Sequence, residues 1–377
     1  MLVKYEFLKI MRKKSTIIVM AVSLVLTGFL FGLPIMQYQI YNQDGVMKGA
    51  EGIAYEKGQY ADLSVPLSEE YVAETIREVQ ELFENPDNIG YDGNEQFLIG
   101  DAYWNGVAPR EKLLNLIANT YSNPNEIWGY NNLANLDIKD GTSFYQTRKG
   151  KIQTLLDNPS RTLSNEQKEY WGNMADKVDT PLQYGYYGGW EIMISSFELL
   201  MFALLAICIV VAPVFSGEYQ AGTDAVILSA KYGKTKLTTA KIEASLLFGT
   251  AAFMLHVIVA CGLSLAAFGI DGWNLPLQIA NTVIPYPFTF LQAVLINIGI
   301  IYLVLLAMIG LTLLLSAKMK SPYLVLIILV PILFIHISYQ FGGLVLDALT
   351  VRAILYVILT VIALPLARSG FRKHQVA

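Results

Sequence analysis

The chain has 377 residues, of which 54% are hydrophobic and 15% charged, whereas about 25% of the residues are charged in an ordinary soluble domain. The mean hydropathy is +0.43 and the formal net charge is −4. These values exclude an ordinary soluble protein and indicate a polytopic membrane protein. The two cysteines exclude a disulfide scaffold, and the three histidines form no HExxH zinc motif.

The first 36 residues combine a basic segment with an apolar one. Residues 1–14 carry five Lys or Arg and an apolar stripe at helical spacing, which predicts a cytoplasmic amphipathic helix lying on the membrane. Residues 15–36 are uncharged and long enough to cross a bilayer, so they are the first predicted span.

Residues 37–189 have a different, polar composition, with 12 Lys or Arg and 23 Asp or Glu and hence a net charge of −11. We predict a mainly helical extracytoplasmic domain, because apolar residues recur there at helical spacing. Helix starts are indicated at Ser68, at Pro109, and at Ser164 with Gln167 in capping-box spacing.

Residues 190–377 are expected to supply spans two to six. The five apolar windows are 199–217, 244–270, 288–317, 321–341 and 349–367. The prolines within 271–287 indicate a re-entrant or interfacial loop, and Gly342-Gly343 with Asp347 indicates a turn. Tyr184, Tyr186, Tyr187 and Trp190 resemble an interfacial aromatic belt.

Positive charge predicts the orientation of these spans. With the N terminus inside, the inner segments hold 14 Lys or Arg, and the two short outer loops hold one. Cytoplasmic segments collect Lys and Arg, so both termini are predicted to be cytoplasmic. The predicted fold is an all-α polytopic membrane protein with six transmembrane helices.

The loop 216–243 between spans two and three carries the most specific pattern, and residues 216–241 read SGEYQAGTDAVILSAKYGKTKLTTAK. Thr223 is predicted to cap a short helix in which Val226, Ile227 and Leu228 expose apolar side chains. Gly233 is predicted to end this helix, and basic residues follow. An apolar helix in the cytosol requires a partner, unless this segment is a turn packed on its own bundle.

This pattern resembles the coupling region of ABC-2 type transporter permeases. The matching residues are Glu218, Gly222, Thr223, Leu228 and Lys241. The six predicted spans and the basic amphipathic N-terminal helix resemble the same family, in the subset with a large insertion between spans one and two. Residues Ala230 to Gly233 depart from the proline-containing consensus that follows the apolar helix in that family.

The resemblance implies a partner set. The coupling helix would sit in a groove of a cytoplasmic ATPase, with two ABC ATPase subunits serving two permeases, either two copies of this chain or one copy and a related chain. This chain has no GxxxxGK[ST] motif, so ATP and Mg are expected on the ATPase, with no cofactor or covalent chemistry here. The coupling residues implied are Glu218, Gly222, Thr223, Val226, Ile227, Leu228 and Lys231.

The expected cargo is an amphipathic or hydrophobic compound, such as an antimicrobial peptide, an antibiotic or a lipid, and the resemblance also allows ion export. Glu198, His256 and Asn297 are candidates for a translocation path. The alternative is that Glu198 is an interfacial carboxylate and that the other two form hydrogen bonds between helices. The expected location is the plasma membrane of a bacterium, in contact with lipid and without a nucleic-acid partner.

Three other functional classes stay open. A membrane sensor or immunity protein would bind a ligand with its acidic external domain and transport nothing. A four-span mechanotransmitting permease would have fewer apolar windows after residue 199. An intramembrane enzyme is disfavoured because no catalytic pair of carboxylates or Ser/His arrangement lies at membrane depth.

Overall fold

A computed structural model describes residues 1–137, 143–341 and 349–373. Five helices in this part of the chain are long and apolar enough to cross a membrane, and they make the chain a multi-pass membrane protein. These candidate spans are Lys14–Met36, Gly188–Gln220, Gly233–Phe268, Phe290–Lys318 and Ala353–Arg372. Five spans already exceed the number in the four-span alternative.

The region of the predicted fifth span is helical over Pro322–Phe341. The predicted turn at Gly342-Gly343 and Asp347 lies outside the described residues.

The helices and strands follow one another in chain order. The first half contains α1 (Leu2–Met11), α2 (Lys14–Met36), β1 (Gln39–Asn42), β2 (Gly45–Lys48), α3 (Gly49–Gln59), α4 (Glu69–Glu84), β3 (Ile89–Asp92), β4 (Glu95–Leu98), α5 (Gly100–Gly106), α6 (Glu111–Tyr121), α7 (Phe144–Asp157) and α8 (Asn165–Ala175). The second half contains α9 (Gly188–Ser196), α10 (Met201–Val211), α11 (Pro213–Gln220), α12 (Asp224–Ser229), α13 (Thr238–Phe268), α14 (Phe290–Lys318), α15 (Pro322–Phe341) and α16 (Leu349–Arg372).

The chain divides into two compact units. The membrane unit is built from Met1–Leu33, Met193–Ala266 and Leu295–Ala377. The polar unit is built from Pro34–Ile192 and Ala267–Val294, so it contains the predicted polar domain together with a second, later segment.

Helix α4 shows why the polar unit is mainly helical. Ser68 accepts a hydrogen bond from the backbone N–H of Tyr71 at 3.1 Å, which caps the helix as predicted. Val72, Ile76 and Val79 recur at helical spacing and are fully buried. The predicted capping box of Ser164 and Gln167 is also confirmed, at the start of α8.

The helix start predicted at Pro109 is wrong. Pro109 lies in a separate short 3-10 turn, Ala108–Arg110, and α6 begins after it at Glu111. The polar unit also contains two antiparallel hairpins that the helical periodicity did not indicate. In β1–β2, Asn42 pairs with Gly45 across the turn, and the φ of +139° at Gly45 explains why glycine stands there.

Residues 267–294 fold as part of the polar unit, and the re-entrant or interfacial loop stays a prediction. Gln278 is fully buried and its Nε2 donates to the carbonyl oxygens of Ile284 and Tyr286 at 2.9 and 2.7 Å. The hydroxyls of Thr282 and Thr120 lie 3.0 Å apart. These buried polar contacts satisfy the backbone of a proline-rich segment that forms little regular structure of its own.

The predicted interfacial belt is wrong. Tyr184, Tyr186, Tyr187 and Trp190 are at most 7% exposed, so they are core residues of the polar unit and do not face outward. The rings of Tyr60 and Tyr184 are stacked with centroids 5.9 Å apart. This aromatic cluster next to an apolar window is therefore part of the core of the polar unit, because its rings pack against other rings of that unit.

In the membrane unit, a proline interrupts the second candidate span where α10 meets α11. Pro213 has no backbone N–H, and Ser316 of α14 bonds the backbone around it. The Ser316 hydroxyl donates to the Ala212 carbonyl at 2.6 Å and accepts from the N–H groups of Phe215 and Ser216 at 3.1 and 2.9 Å. These hydrogen bonds fix the orientation of α11 relative to α14.

We predict that Ser316→Ala lowers the free energy of unfolding by about 1–3 kcal/mol, because two buried N–H groups lose their acceptor. The measurement is thermal or denaturant unfolding of the purified chain in detergent. Ser264→Ala is the matched control, since the Ser264 hydroxyl bonds only to Ala260 of its own helix. Equal losses in the two variants would contradict the prediction.

Candidate functional site

A network of four charged side chains joins three helices of the membrane unit. Lys241 of α13 forms ion pairs with Glu218 of α11 at 2.7 Å and with Glu6 of α1 at 3.1 Å. Lys9 of α1 also binds Glu218, at 2.7 Å. We call Glu6, Lys9, Glu218 and Lys241 the charge network.

The charge network is balanced and mostly shielded from solvent. The Lys241 side chain is 2% exposed, and those of Glu218 and Glu6 are 12% and 15% exposed. Removing such charges from water is costly unless each charge is paired, and here two cations meet two anions. The pairing therefore holds α1, α11 and α13 in one arrangement.

Lys9 is the most solvent-accessible member of the network. Burial opposes its charged form, but the hydrogen bond and the negative charge of Glu218 outweigh that effect, so the pKa of Lys9 is raised. The pKa of the neighbouring Lys13 is lowered by burial and by the positive charge of Lys9. The carboxylates of the network are thus matched by Lys9 and Lys241, while Lys13 is not stabilised as a cation.

Thr223 stands at the N-cap position of α12, but the prediction that its side chain caps this helix is wrong. The Thr223 hydroxyl donates instead to the carboxylate of Glu218 at 2.6 Å. Glu218 also binds two lysines. A hydroxyl that donates to a carboxylate forms a stronger hydrogen bond than a hydroxyl oxygen that accepts from a backbone N–H. The first part of the loop 216–243 is thereby attached to the charge network. Gly222 forms the turn before α12, with a φ of +66°.

The loop is also fixed at its end. Leu228 is 6% exposed, so the expectation that it presents an apolar side chain to a partner is wrong. Gly233 packs directly under α12, where a Cβ would overlap the carbonyl oxygen of Ile227. The Gly233 carbonyl accepts the hydroxyl of Thr238 at 2.9 Å. Glycine is required at residue 233 by this close approach of two backbone segments.

The exposed part of the loop is an apolar centre with a basic rim. Val226 is 71% exposed, Ile227 is half-buried and Tyr232 is 47% exposed. Lys231 and Lys236 lie over the ring of Tyr232, with nitrogen-to-centroid distances of 5.4 and 4.7 Å. We call Val226, Ile227, Tyr232 and the surrounding Lys231, Lys234 and Lys236 the coupling surface.

The three residues proposed for a translocation path lie in different environments. His256 is fully buried; its ring contacts the Ser23 hydroxyl at 3.0 Å and the Ala252 carbonyl at 2.7 Å. Asn297 is half-buried in α14. Glu198 lies in the 3-10 turn Phe197–Leu200 and is exposed on the surface of this chain. His256 therefore has the helix-linking role of the alternative interpretation.

Sequence reasoning missed Glu6 as a site residue. Glu6 is the only acidic residue among the first 14, and Lys9 follows at i+3, on the same helical face. An acidic residue placed alone in a basic helix was the available signal. Its partner Lys241 is 235 positions away, which no local pattern indicates.

Searches of family models, curated proteins and solved structures find no match to this chain. In the part of the chain that the structure describes, no group of three or more His, Cys, Asp and Glu could hold a metal ion.

We predict that Lys241→Met lowers the free energy of unfolding by about 3–5 kcal/mol, because two largely buried carboxylates lose their shared cation. Unfolding of the detergent-purified chain measures this loss. Lys234→Met removes an exposed lysine of the same loop and is expected to change the value by less than about 0.5 kcal/mol.

A second substitution tests whether pairing is the cause. Adding Glu218→Leu to Lys241→Met removes one of the stranded carboxylates and should recover part of the loss. If the two side chains act independently, the double variant will be less stable than Lys241→Met by the same amount that Glu218→Leu alone costs the unaltered chain. That result would contradict the prediction.

Proposed function

We propose that this chain is the permease subunit of an ATP-driven exporter of the ABC-2 type. It crosses the plasma membrane of a bacterium six times, with both termini in the cytoplasm and the polar unit outside. It works as a dimer with a second copy or a related permease, and two separate ATPase subunits bind and hydrolyse ATP.

The observation that carries this proposal is the coupling surface. In this short helix Val226 is 71% exposed and Leu228 is buried, so one side packs against its own chain and the other side is free to contact a partner. An apolar centre with a charged rim is the usual composition of a protein interface. A helix presented in this way is suited to a groove on another subunit.

The charge network supports a mechanical role for this surface. A movement of α12 reaches Glu218 through the hydroxyl of Thr223, and Glu218 is bound to both α1 and α13 through Lys9 and Lys241. Polar contacts therefore connect the start of α12 to α11 and, through Glu218, to α1 and α13. Such connections suit the transfer of nucleotide-driven motion into the spans.

The candidate spans favour an amphipathic or hydrophobic cargo. Their windows are strongly apolar, and the buried His256 of α13 contacts the Ser23 hydroxyl of α2. Glu198 is an exposed carboxylate within a candidate span, where lipid contact is unfavourable, so a second permease subunit or an aqueous path is its expected neighbour.

The first experiment is mild-detergent purification of the tagged chain from its native host, followed by mass spectrometry for a stoichiometric ATP-binding subunit. Its presence supports the exporter. Its absence, under conditions that retain other membrane complexes of the host, favours the sensor or immunity class instead.

We predict that Val226→Asp lowers recovery of the ATPase and ATP-dependent export at least about tenfold, because a charge would enter the apolar centre of the coupling surface. The melting temperature of the chain should be nearly unchanged, since Val226 is exposed. Val226→Leu keeps the apolar contact and is the matched control. Full export by Val226→Asp would show that this loop is only a turn on its own bundle.

A further inference from the structure

The polar unit contains a cleft of about 450 Å³ between α7 and α8. This volume lies in the range of small-molecule binding sites. Its walls combine charged side chains with the apolar residues Ile152, Ala175 and Val178. All the residues that line it belong to the polar unit, so the cleft does not depend on the arrangement of the two units.

Arg148 of α7 lines this cleft and is 5% exposed. Its Nε donates to the carbonyl oxygen of Thr282 at 2.7 Å. Its Nη2 is buried and has no hydrogen-bond partner among the residues that the structure describes, and no described carboxylate forms an ion pair with the guanidinium. A guanidinium stays charged in proteins, and the nearby Asp176 favours that charge without forming an ion pair with it, because Asp176 pairs with Lys149.

The other charges of the cleft narrow the class of ligand. Lys149 pairs with Asp176 at 2.9 Å, and Lys168 pairs with Asp157 at 2.9 Å. Among the described residues of the lining, the buried Arg148 and the exposed Glu169 are the two charged side chains that form no ion pair. A simple anion would match only one of them.

We infer that this cleft binds an amino acid or short peptide with free termini, whose carboxylate contacts Arg148 and whose ammonium group contacts Glu169. A guanidinium donates a charge-assisted hydrogen bond to a carboxylate, which is stronger than a neutral one. The apolar residues of the lining offer contacts for small side chains of the ligand. This inference is separate from export, since it concerns only recognition by the polar unit.

The test is calorimetric titration of the full chain in detergent, without an ATPase, using tri-alanine as the probe. We expect saturable binding of the free peptide. Amidation of its C terminus or acetylation of its N terminus should each weaken binding at least about tenfold, because each removes one charge that the cleft matches. Acetate and inorganic phosphate serve as bare anions and should bind more weakly than the free peptide.

Three variants locate the binding in the cleft. Arg148→Gln should abolish the preference for the free peptide over the amidated one, and Arg148→Lys should restore part of it. Glu169→Gln should abolish the preference for the free peptide over the acetylated one. Glu166→Gln is the matched control, because Glu166 lies on the same helix α8 and is not part of the cleft lining.

The inference is overturned if tri-alanine does not bind, if either blocked peptide binds as tightly as the free one, or if acetate or phosphate binds equally well. It is also overturned if Glu166→Gln weakens binding as much as Glu169→Gln. Should Arg148→Gln fail to fold, the peptide series on the unaltered chain still decides the question. Recovery of an ATPase by mass spectrometry is unaffected by any of these results.

Discussion

The burial of one lysine determines much of how α1, α11 and α13 are arranged in the membrane unit. Lys241 is almost completely enclosed, and an enclosed ammonium group requires anions nearby. Those anions come from α1 and α11, which are far away in sequence. Because Glu218 binds Lys241, Lys9 and Thr223 at once, one carboxylate sets the positions of the N-terminal helix, the end of a candidate span and the start of the coupling loop.

This dependence explains why so short a helix as α12 can be held in place. Six residues of helix are not stable alone in water, since nucleation costs more than so few hydrogen bonds return. The helix is fixed by Thr223 at one end, by the buried Leu228 at its middle and by the close packing of Gly233 beneath it. The charge network and the coupling surface are therefore two parts of one structure, and Val226 is displayed because its neighbours are anchored.

The sequence was most informative where the signal is local. Composition and apolar windows predicted a polytopic helical protein, and capping residues such as Ser68 and Ser164 predicted helix starts. It failed where a side chain has a choice of partners that only the folded chain decides. Thr223 is a residue type that commonly caps helices, but its hydroxyl donates to the carboxylate of Glu218 in the folded chain. Tyr184 is a residue type that is common in interfacial belts, but its side chain is buried in the core of the polar unit. Glu6 and Arg148 acquire their importance from contacts across 235 and 134 positions, which periodicity cannot reveal.

The charge network and the buried Arg148 differ in one respect that bears on function. The charge network is complete, because each lysine in it has a carboxylate and each carboxylate a lysine, so it needs no ligand and serves to hold helices together. Arg148 donates one nitrogen to a backbone carbonyl and, within the described chain, forms no ion pair. A complete network stabilises one arrangement of the chain, whereas a ligand that binds an incompletely paired group stabilises the folded chain further. By this criterion the charge network is a structural element of the membrane unit, and the cleft of the polar unit fits the ligand-binding role that we infer for it.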